Sequence, residues 1–420
     1  MTKSKHVLAA ALVAALGLTV AACGDDDDGG DDTTADTGAS GDTTGSVAGT
    51  TPMTGSMTGT TPMTGDTTGS TPMTGDTAAT TPASGGSTAP TGSAPSGDGT
   101  TVGLLFDITG RGDRSFNDAA AAGLDQAVEE FGVVASESTP SAEGDRAERL
   151  DGLVADGNEL VIGVGFLWQA ALQTAAVADP EQRFALIDAE AKDDQGTPDD
   201  FEDDQPLDNV ASLLFAEEQG SFLVGAAAAL KTQTDTVGFI GGVETSLIQK
   251  FEAGFVAGAE AVNPDITVLS QYLTQPPDFS GFNDPARGKE VAASMYEDDA
   301  DVIYAAAGGS GLGMFEAASE AGEPGEVWGI GVDSDQYNLV DPALQPYVLT
   351  SMLKKVDVAV YETVAALVND EFVGGPQTFD LASGGVDYST TGGFVDDISE
   401  QLDEYKQQII DGEIEVPTEP

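Results

Sequence analysis

The chain has 420 residues, with 72 acidic and 15 basic side chains and a formal net charge of −57. A surface this negative repels nucleic acid and anionic membrane and suits a salty medium, where screening weakens self-repulsion; an ordinary acidic secreted protein is the plainer alternative. The only cysteine, Cys23, and the only histidine, His6, both fall in the first 23 residues, so the rest of the chain can hold no disulfide, cysteine nucleophile, Ser-His-Asp triad or histidine-ligated zinc or haem.

Residues 1–23 read as a secretion signal. Lys3 and Lys5 precede an apolar run over 7–20 that is short for a bilayer span, and small residues lead into Cys23. The V-A-A-C ending resembles the lipobox of bacterial lipoproteins, which implies a lipidated Cys23 and a durable anchor to the outer face of the cell membrane. Residues 24–100 lack Lys, Arg, Glu, Phe, Tyr and Trp, and TPMTG recurs at 51–55, 61–65 and 71–75, with TPASG at 81–85. Such a stretch buries too little apolar surface to offset its chain entropy and reads as a disordered Thr/Gly/Asp-rich tether, reaching on the order of 50 Å. Setting aside the two lysines of the head and the eleven aspartates of the tether leaves −48 on residues 101–420. The acidity therefore belongs to the folded part.

From residue 101 onward, strands and helices alternate. Short apolar runs predict strands at 102–107, 159–163, 184–187, 210–215, 237–240, 266–269, 302–305 and 328–332. Helical spacing of apolar residues predicts helices at 117–131, 168–178, 217–230, 247–262, 285–296 and 312–321. The alternation points to an α/β fold of parallel sheets covered on both faces, with too many elements for one small sheet and enough for two lobes.

Ligands of open α/β sheets bind at the carboxyl ends of strands. Those ends offer Asp107, the loop ITGRGDRSFN with Phe116 and Asn117, GVGF with Phe166, Asp188, the helix opening that carries Phe251, the glycine-rich loop with Gly308 and Gly309, Asp333, and Lys354 beside Lys355. Ser115 is a candidate helix cap, Phe116 a candidate hydrophobic staple, and the RGD tripeptide at 111–113 carries no assigned role. The glycine loop lacks the Lys-Ser/Thr of a triphosphate loop. Aromatic faces suit a flat ring and carboxylates suit hydroxyls, a combination fit for a sugar bearing a base.

VGLLFDITGRGDRSFNDAAAAGL, GVGF, ASLLFAEEQGSFLVGAAAAL, VGFIGGVETSLIQKFEAGFVAGA, GVDSDQ and VLTSMLKKVDVAV resemble, in order, the basic membrane protein family of lipoproteins. The resemblance implies a type I periplasmic-binding-protein fold, with two doubly wound lobes joined by three crossing strands near 210–215, 349–353 and 375–385. Lobe one would take about 101–212 and 353–378; lobe two would take 213–352 and 379–420. It implies a purine nucleoside held in the cleft, stacked between Phe116 and Phe251. Asp333 and Lys354 would hold ribose, Asp107 and Asn117 would make polar contacts, and Phe166 and Asp188 would border the site. Partners would be the permease subunits of an ABC-type importer and the membrane, through Cys23; no nucleic acid, metal or other cofactor is expected, and a monomer is. The family's first loop commonly carries an acidic pair where this chain has Arg111, Gly112 and Asp113, which leaves base selectivity open. Rival readings are another small polar metabolite on the same scaffold, a glycosidase built on paired carboxylates, and a tethered sensor.

Overall fold

The structure is a computed structural model that describes residues 96–196 and 204–420. The signal, Cys23 and the tether as far as residue 95 lie outside the described residues. The last residues assigned to the tether pack on the domain: Gly97 is buried and its N–H donates to the Phe131 carbonyl at 2.7 Å. A side chain there would meet Val133 at 2.8 Å, so a stretch counted as tether by composition ends in a position that suits only glycine.

The first sheet is built from β1 (Thr101–Leu105), β2 (Val134–Ser138), β3 (Leu160–Gly163), β4 (Arg183–Ile187), β7 (Val210–Phe215) and β13 (Gly375–Phe379), in the order β13-β7-β4-β3-β1-β2. All its pairs are parallel. The second sheet contains β8 (Thr236–Val243), β9 (Thr267–Thr274), β10 (Val302–Ala306), β11 (Trp328–Asp333), β12 (Val348–Lys354) and β14 (Val386–Tyr388), in the order β14-β12-β11-β10-β8-β9. Only β14 runs antiparallel to its neighbour. A two-residue ribbon, β5 (Lys192–Asp193) with β6 (Gln205–Pro206), flanks the first sheet. The two six-stranded sheets therefore share one strand order, the second repeating the first.

Helices cover both faces: α1 (Phe116–Phe131), α2 (Arg146–Ala155), α3 (Gln169–Ala178), α4 (Glu217–Lys231), α5 (Ser246–Val262), α6 (Pro285–Glu297), α7 (Leu312–Ala321), α8 (Val356–Val368) and α9 (Ser399–Ile410). The central strands read as unbroken apolar runs because both faces are buried, as in β3 and β10. The chain crosses between sheets after β7, after β12 and after β13. The expected division at 212–213 falls inside β7, which stays whole because β4 and β13 pair along it. At the crossings Phe215 stacks on Phe379 with ring centres 5.1 Å apart, and the Ala216 N–H donates to the Phe379 carbonyl at 3.0 Å.

Helix starts show why the elements begin where they do. The Asp284 carboxylate accepts the Arg287 N–H at 3.0 Å with Pro285 at the first helical position, a standard N-terminal stop. Ser115 does not cap α1. Asp113 takes that role: its carboxylate accepts N–H groups from Ser115, Asn117 and Asp118 at 2.8–3.1 Å. The negative charge also suits the helix N-terminus. The Asp of the RGD tripeptide is thus a helix cap, and Arg111 pairs with Asp125 and Glu137 on the surface.

Helices α4 and α5 cross at glycine. A Cβ on Gly258 would stand 1.9 Å from the Phe222 carbonyl oxygen, and one on Gly225 would stand 2.1 Å from that of Phe255. Two backbones in contact leave no room for a methyl group to be absorbed by side-chain motion. Gly258→Ala is therefore expected to destabilise the domain by roughly 1–3 kcal/mol or more. Gly152→Ala on the exposed face of α2, where a Cβ meets nothing within 4 Å, should be neutral or stabilising by up to about 1 kcal/mol. Urea unfolding of both variants checks the pair, and equal effects would show that the helix crossing is not tight.

Candidate binding site

The carboxyl ends of the strands of both sheets face a common cavity, with about 620 Å³ of atom-free space counting its open mouth. All ten residues singled out at the strand ends line it: Asp107, Phe116, Asn117, Phe166, Asp188, Phe251, Gly308, Gly309, Asp333 and Lys354. Phe116 opens α1 against the first sheet and Phe251 lies in the second turn of α5 against the second. The cavity thus receives phenylalanines from both sides of the molecule, Phe116 and Phe166 from the first and Phe251 and Phe282 from the second. Phe116 is a wall of the cavity, with its ring against Gly165, so the staple reading gives way.

Lys354 closes β12, and its side chain is 2% exposed. Its ammonium lies 2.6 Å from Asp188 Oδ1 and 3.1 Å from Glu217 Oε1. It also sits over three rings, 5.1 Å from Phe116, 5.0 Å from Phe215 and 5.6 Å from Phe251. Ring faces and carboxylates both attract a cation. The other oxygen of Glu217 meets Lys250 at 3.2 Å. Burial alone would lower the Lys354 pKa; Asp188, Glu217 and Asp333 outweigh it and hold the ammonium above its ordinary value. The carboxylates share this one cation poorly. Burial pushes Asp188 up to about 7 against the pull of Lys354, and pushes Asp333 up to about 6 against Lys354 and Ser115.

Three of the lining carboxylates are half-used. Asp107 takes the Ile108 N–H and Arg146 on Oδ1, at 2.8 and 3.2 Å. Asp188 meets Lys354 through Oδ1. Asp333 accepts the Ser115 hydroxyl on Oδ2 at 2.6 Å. In each, the second oxygen carries no side-chain partner among the described residues and is left to the cavity. Asp188 and Asp333 also share a backbone conformation, with φ of 70° and 63°. That left-handed region costs an L-residue free energy, and aspartate is among the residues that tolerate it best.

Asn117 lines the cavity and also ties the first loop together. Its Oδ1 accepts the Asp107 N–H at 2.8 Å, and its Nδ2 donates to Thr109 Oγ1 at 2.7 Å and Asp113 Oδ2 at 2.9 Å. Both amide hydrogens are engaged, so Asn117 braces the first loop as well as lining the cavity. Residues that strand-end reasoning missed include Phe282 and Asp113 on the wall, and Glu217 and Ser115 behind it. Glu217 sits in AEEQG and reads as an ordinary first-turn acid; only the fold brings it to Lys354.

The two sides also touch directly. Ser115 Oγ reaches Asp333, Ser334 Oγ donates to the Ser115 carbonyl at 3.1 Å, and Gln336 Nε2 donates to the Arg114 carbonyl at 3.0 Å. Phe166 meets Phe279 edge-on with ring centres 6.0 Å apart. The cleft is closed at these points. Among the described residues, no group of three or more acidic, His or Cys side chains is placed to hold a metal ion, and no helix is long and apolar enough to cross a membrane.

A family described as ABC transporter substrate-binding protein PnrA-like, the Bmp family, matches residues 100–419. The chain is 34% identical to the ABC transporter nucleoside-binding protein BmpA of Lactococcus lactis, over 75% of this chain and 88% of that protein. It is 31% identical to an uncharacterized lipoprotein of Pyrococcus furiosus, over 71% of this chain and 72% of the relative. A solved ABC transporter solute-binding protein from Aeropyrum pernix superposes with a TM-score of 0.65 at 32% identity, covering 76% of this chain and 93% of that one. The chain belongs to the Bmp family, has the periplasmic-binding-protein fold, and is an ABC transporter substrate-binding protein.

The raised Asp333 pKa has a consequence for stability. A carboxyl whose folded pKa lies above its unfolded value contributes most below the unfolded pKa and loses that contribution as pH rises through the folded one. For Asp333 the window runs from the ordinary value of 3.8 to about 6. Asp333→Asn, which removes the charge and keeps the shape, should therefore gain stability relative to the wild-type protein as pH rises through that window and level off above it. Urea unfolding of both ligand-free proteins between pH 4 and about pH 7 reads the difference; a difference that shrinks with pH would show that Lys354 outweighs burial at this carboxyl.

Proposed function

We propose that the solute is a nucleoside, with a purine base preferred, and that the cleft closes on it without making or breaking a bond in it. The observation that carries this reading is the pairing of two phenylalanines from opposite sides with carboxylates that each leave one oxygen open. A flat base fits between Phe116 and Phe251, where stacking needs no particular hydrogen-bond pattern. Ribose hydroxyls are donors that suit the open oxygens of Asp333 and Asp188, and Lys354 supplies the cation of the same wall. Phe166 borders the ring, and Gly308 and Gly309 let the backbone approach closely.

The wall is rich in acceptors, and its one lysine is already paired. Such a wall disfavours anionic solutes and favours neutral ones with several donors. The likeness to BmpA of Lactococcus lactis, named as nucleoside-binding, supports the same class. Contacts from both lobes favour the closed state over the open one, so solute shifts the equilibrium toward closure. The closed form would be what the permease subunits recognise. Likeness to lipoproteins and the V-A-A-C ending support an extracytoplasmic protein anchored through Cys23.

Calorimetric titration with adenosine, guanosine, inosine and cytidine, with the nucleoside recovered and analysed afterwards, tests the reading. Tight binding of at least one, recovered intact, is expected. Phe251→Ala should weaken it by about 1–3 kcal/mol through lost stacking. Asp333→Ala should weaken it by at least about 1.5–3 kcal/mol through lost charge-assisted bonds. Unchanged affinity in both variants would place the solute elsewhere, and recovery of free base would make the protein an enzyme.

A further inference from the structure

Behind Asp107 lies a second buried charge that the cavity does not show. Arg146, the first residue of α2, is 5% exposed, and its guanidinium reaches Asp107 Oδ1 at 3.2 Å. Its Cζ lies 5.6 Å from the centre of the Trp168 ring, so the plane of charge rests on an aromatic face. Trp168 is itself fully buried, and its indole N–H donates to the Phe106 carbonyl at 3.1 Å. Phe106 immediately precedes Asp107. Trp168 therefore fixes both the backbone that presents the carboxylate and the arginine that pairs with it.

The result is a carboxylate held in one orientation. Its Oδ1 is filled by Arg146 and the Ile108 N–H, and its backbone N–H is held by Asn117. Its Oδ2 turns to the cavity at a bare point of the wall. A methyl group placed on Gly165 would stand 3.3 Å from Asp107 Oδ2 and 3.4 Å from Phe116 Cε1. Oxygen and ring edge thus flank one spot that glycine, at φ 101°, keeps empty. A ring stacked on Phe116 presents its in-plane edge to that oxygen.

We propose that Arg146 is a positioning residue that fixes which ring edges the cleft accepts, by holding Asp107 as an oriented, hydrogen-accepting carboxylate. The inference rests on the nucleoside reading and specifies it: the base must offer an N–H donor at this point. Without the arginine, the buried carboxylate has two ways out, to rotate away from the site or to take up a proton and become a donor. Burial already pushes Asp107 up from its ordinary range; the Ile108 N–H and Arg146 oppose that, and Asp113 adds to it. Asp113 is occupied by its helix-capping bonds, and Arg146 is the cation paired with Asp107.

The test is a ligand series read against Arg146→Met and Arg146→Lys. Adenosine, inosine and guanosine each carry a base donor on the ring edge; purine riboside carries none. The wild-type protein should bind at least one of the three at least about tenfold more tightly than purine riboside, as expected for one hydrogen bond to a charged acceptor. In Arg146→Met that ratio should fall below about threefold, with the affinity for purine riboside itself changed by less than about threefold. Arg146→Lys, which keeps the charge and loses the planar fork, should recover part of the ratio. Asp107→Asn combined with Arg146→Met removes the unpaired carboxylate and should show the same collapsed ratio with near wild-type thermal stability, so misfolding cannot imitate the effect. A common weakening of all four ligands in Arg146→Met, or an unchanged ratio, overturns the inference. Wild-type protein that binds purine riboside as tightly as the other three overturns it while leaving the nucleoside reading intact, and wild-type protein that binds none of the four overturns both.

Discussion

One buried ammonium organises this molecule. Lys354 comes from the last residue of a strand in the second sheet, yet its partners are Asp188, from the end of a strand in the first, and Glu217, from the residues that follow a crossing between the two. A desolvated cation is strongly destabilising unless carboxylates surround it with good geometry. Its presence therefore dictates that β4, β12 and the start of α4 meet at one point. The three phenylalanine rings around it do double duty, attracting the charge and walling the cavity. The price of this arrangement is visible in the surplus of acid: more carboxylates than cations are buried here, and burial pushes two of them upward.

The surplus has an origin in the repeat. Both sheets follow the same strand order, so the end of β4 in one corresponds to the end of β11 in the other. Asp188 and Asp333 stand at those equivalent ends, in the same left-handed backbone conformation. A duplicated architecture thus brings two equivalent aspartates face to face across the cleft, and the lysine at the end of β12 lies among them. Together the two aspartates form an acid wall rich in hydrogen-bond acceptors.

Much of this was legible in the residues. Unbroken apolar runs marked the central strands because both faces of each sheet are covered, and the rule that strands end at binding sites led to Asp107, Asp188, Asp333 and Lys354 directly. Edge elements were less visible. β2 is largely exposed and reads VASES, with no apolar run. Helix α2 buries only Arg146, Leu150 and Leu153, so its charged sequence looks like a surface loop. Residues whose role depends on a distant partner left no local trace. Ser115 looked like a cap and instead reaches Asp333, 218 positions along the chain. Asn117 lines the cavity and also braces its own loop, a second role with no trace in the local sequence. Arg146 left no signal at all, because nothing near it in the chain announces Trp168 or Asp107.

The glycine crossing of α4 and α5 has a mechanical meaning. Those helices carry Glu217, Lys250 and Phe251, which belong to the site or stand directly behind it. Backbones packed this closely resist sliding, so the main-chain positions that carry these three groups form one block. A rotation of one lobe against the other then leaves the relative places of the three unchanged and alters only their distance from the opposite wall. On the closure proposed above, a solute that fits poorly would meet no sliding of these two helices and would hold the lobe ajar.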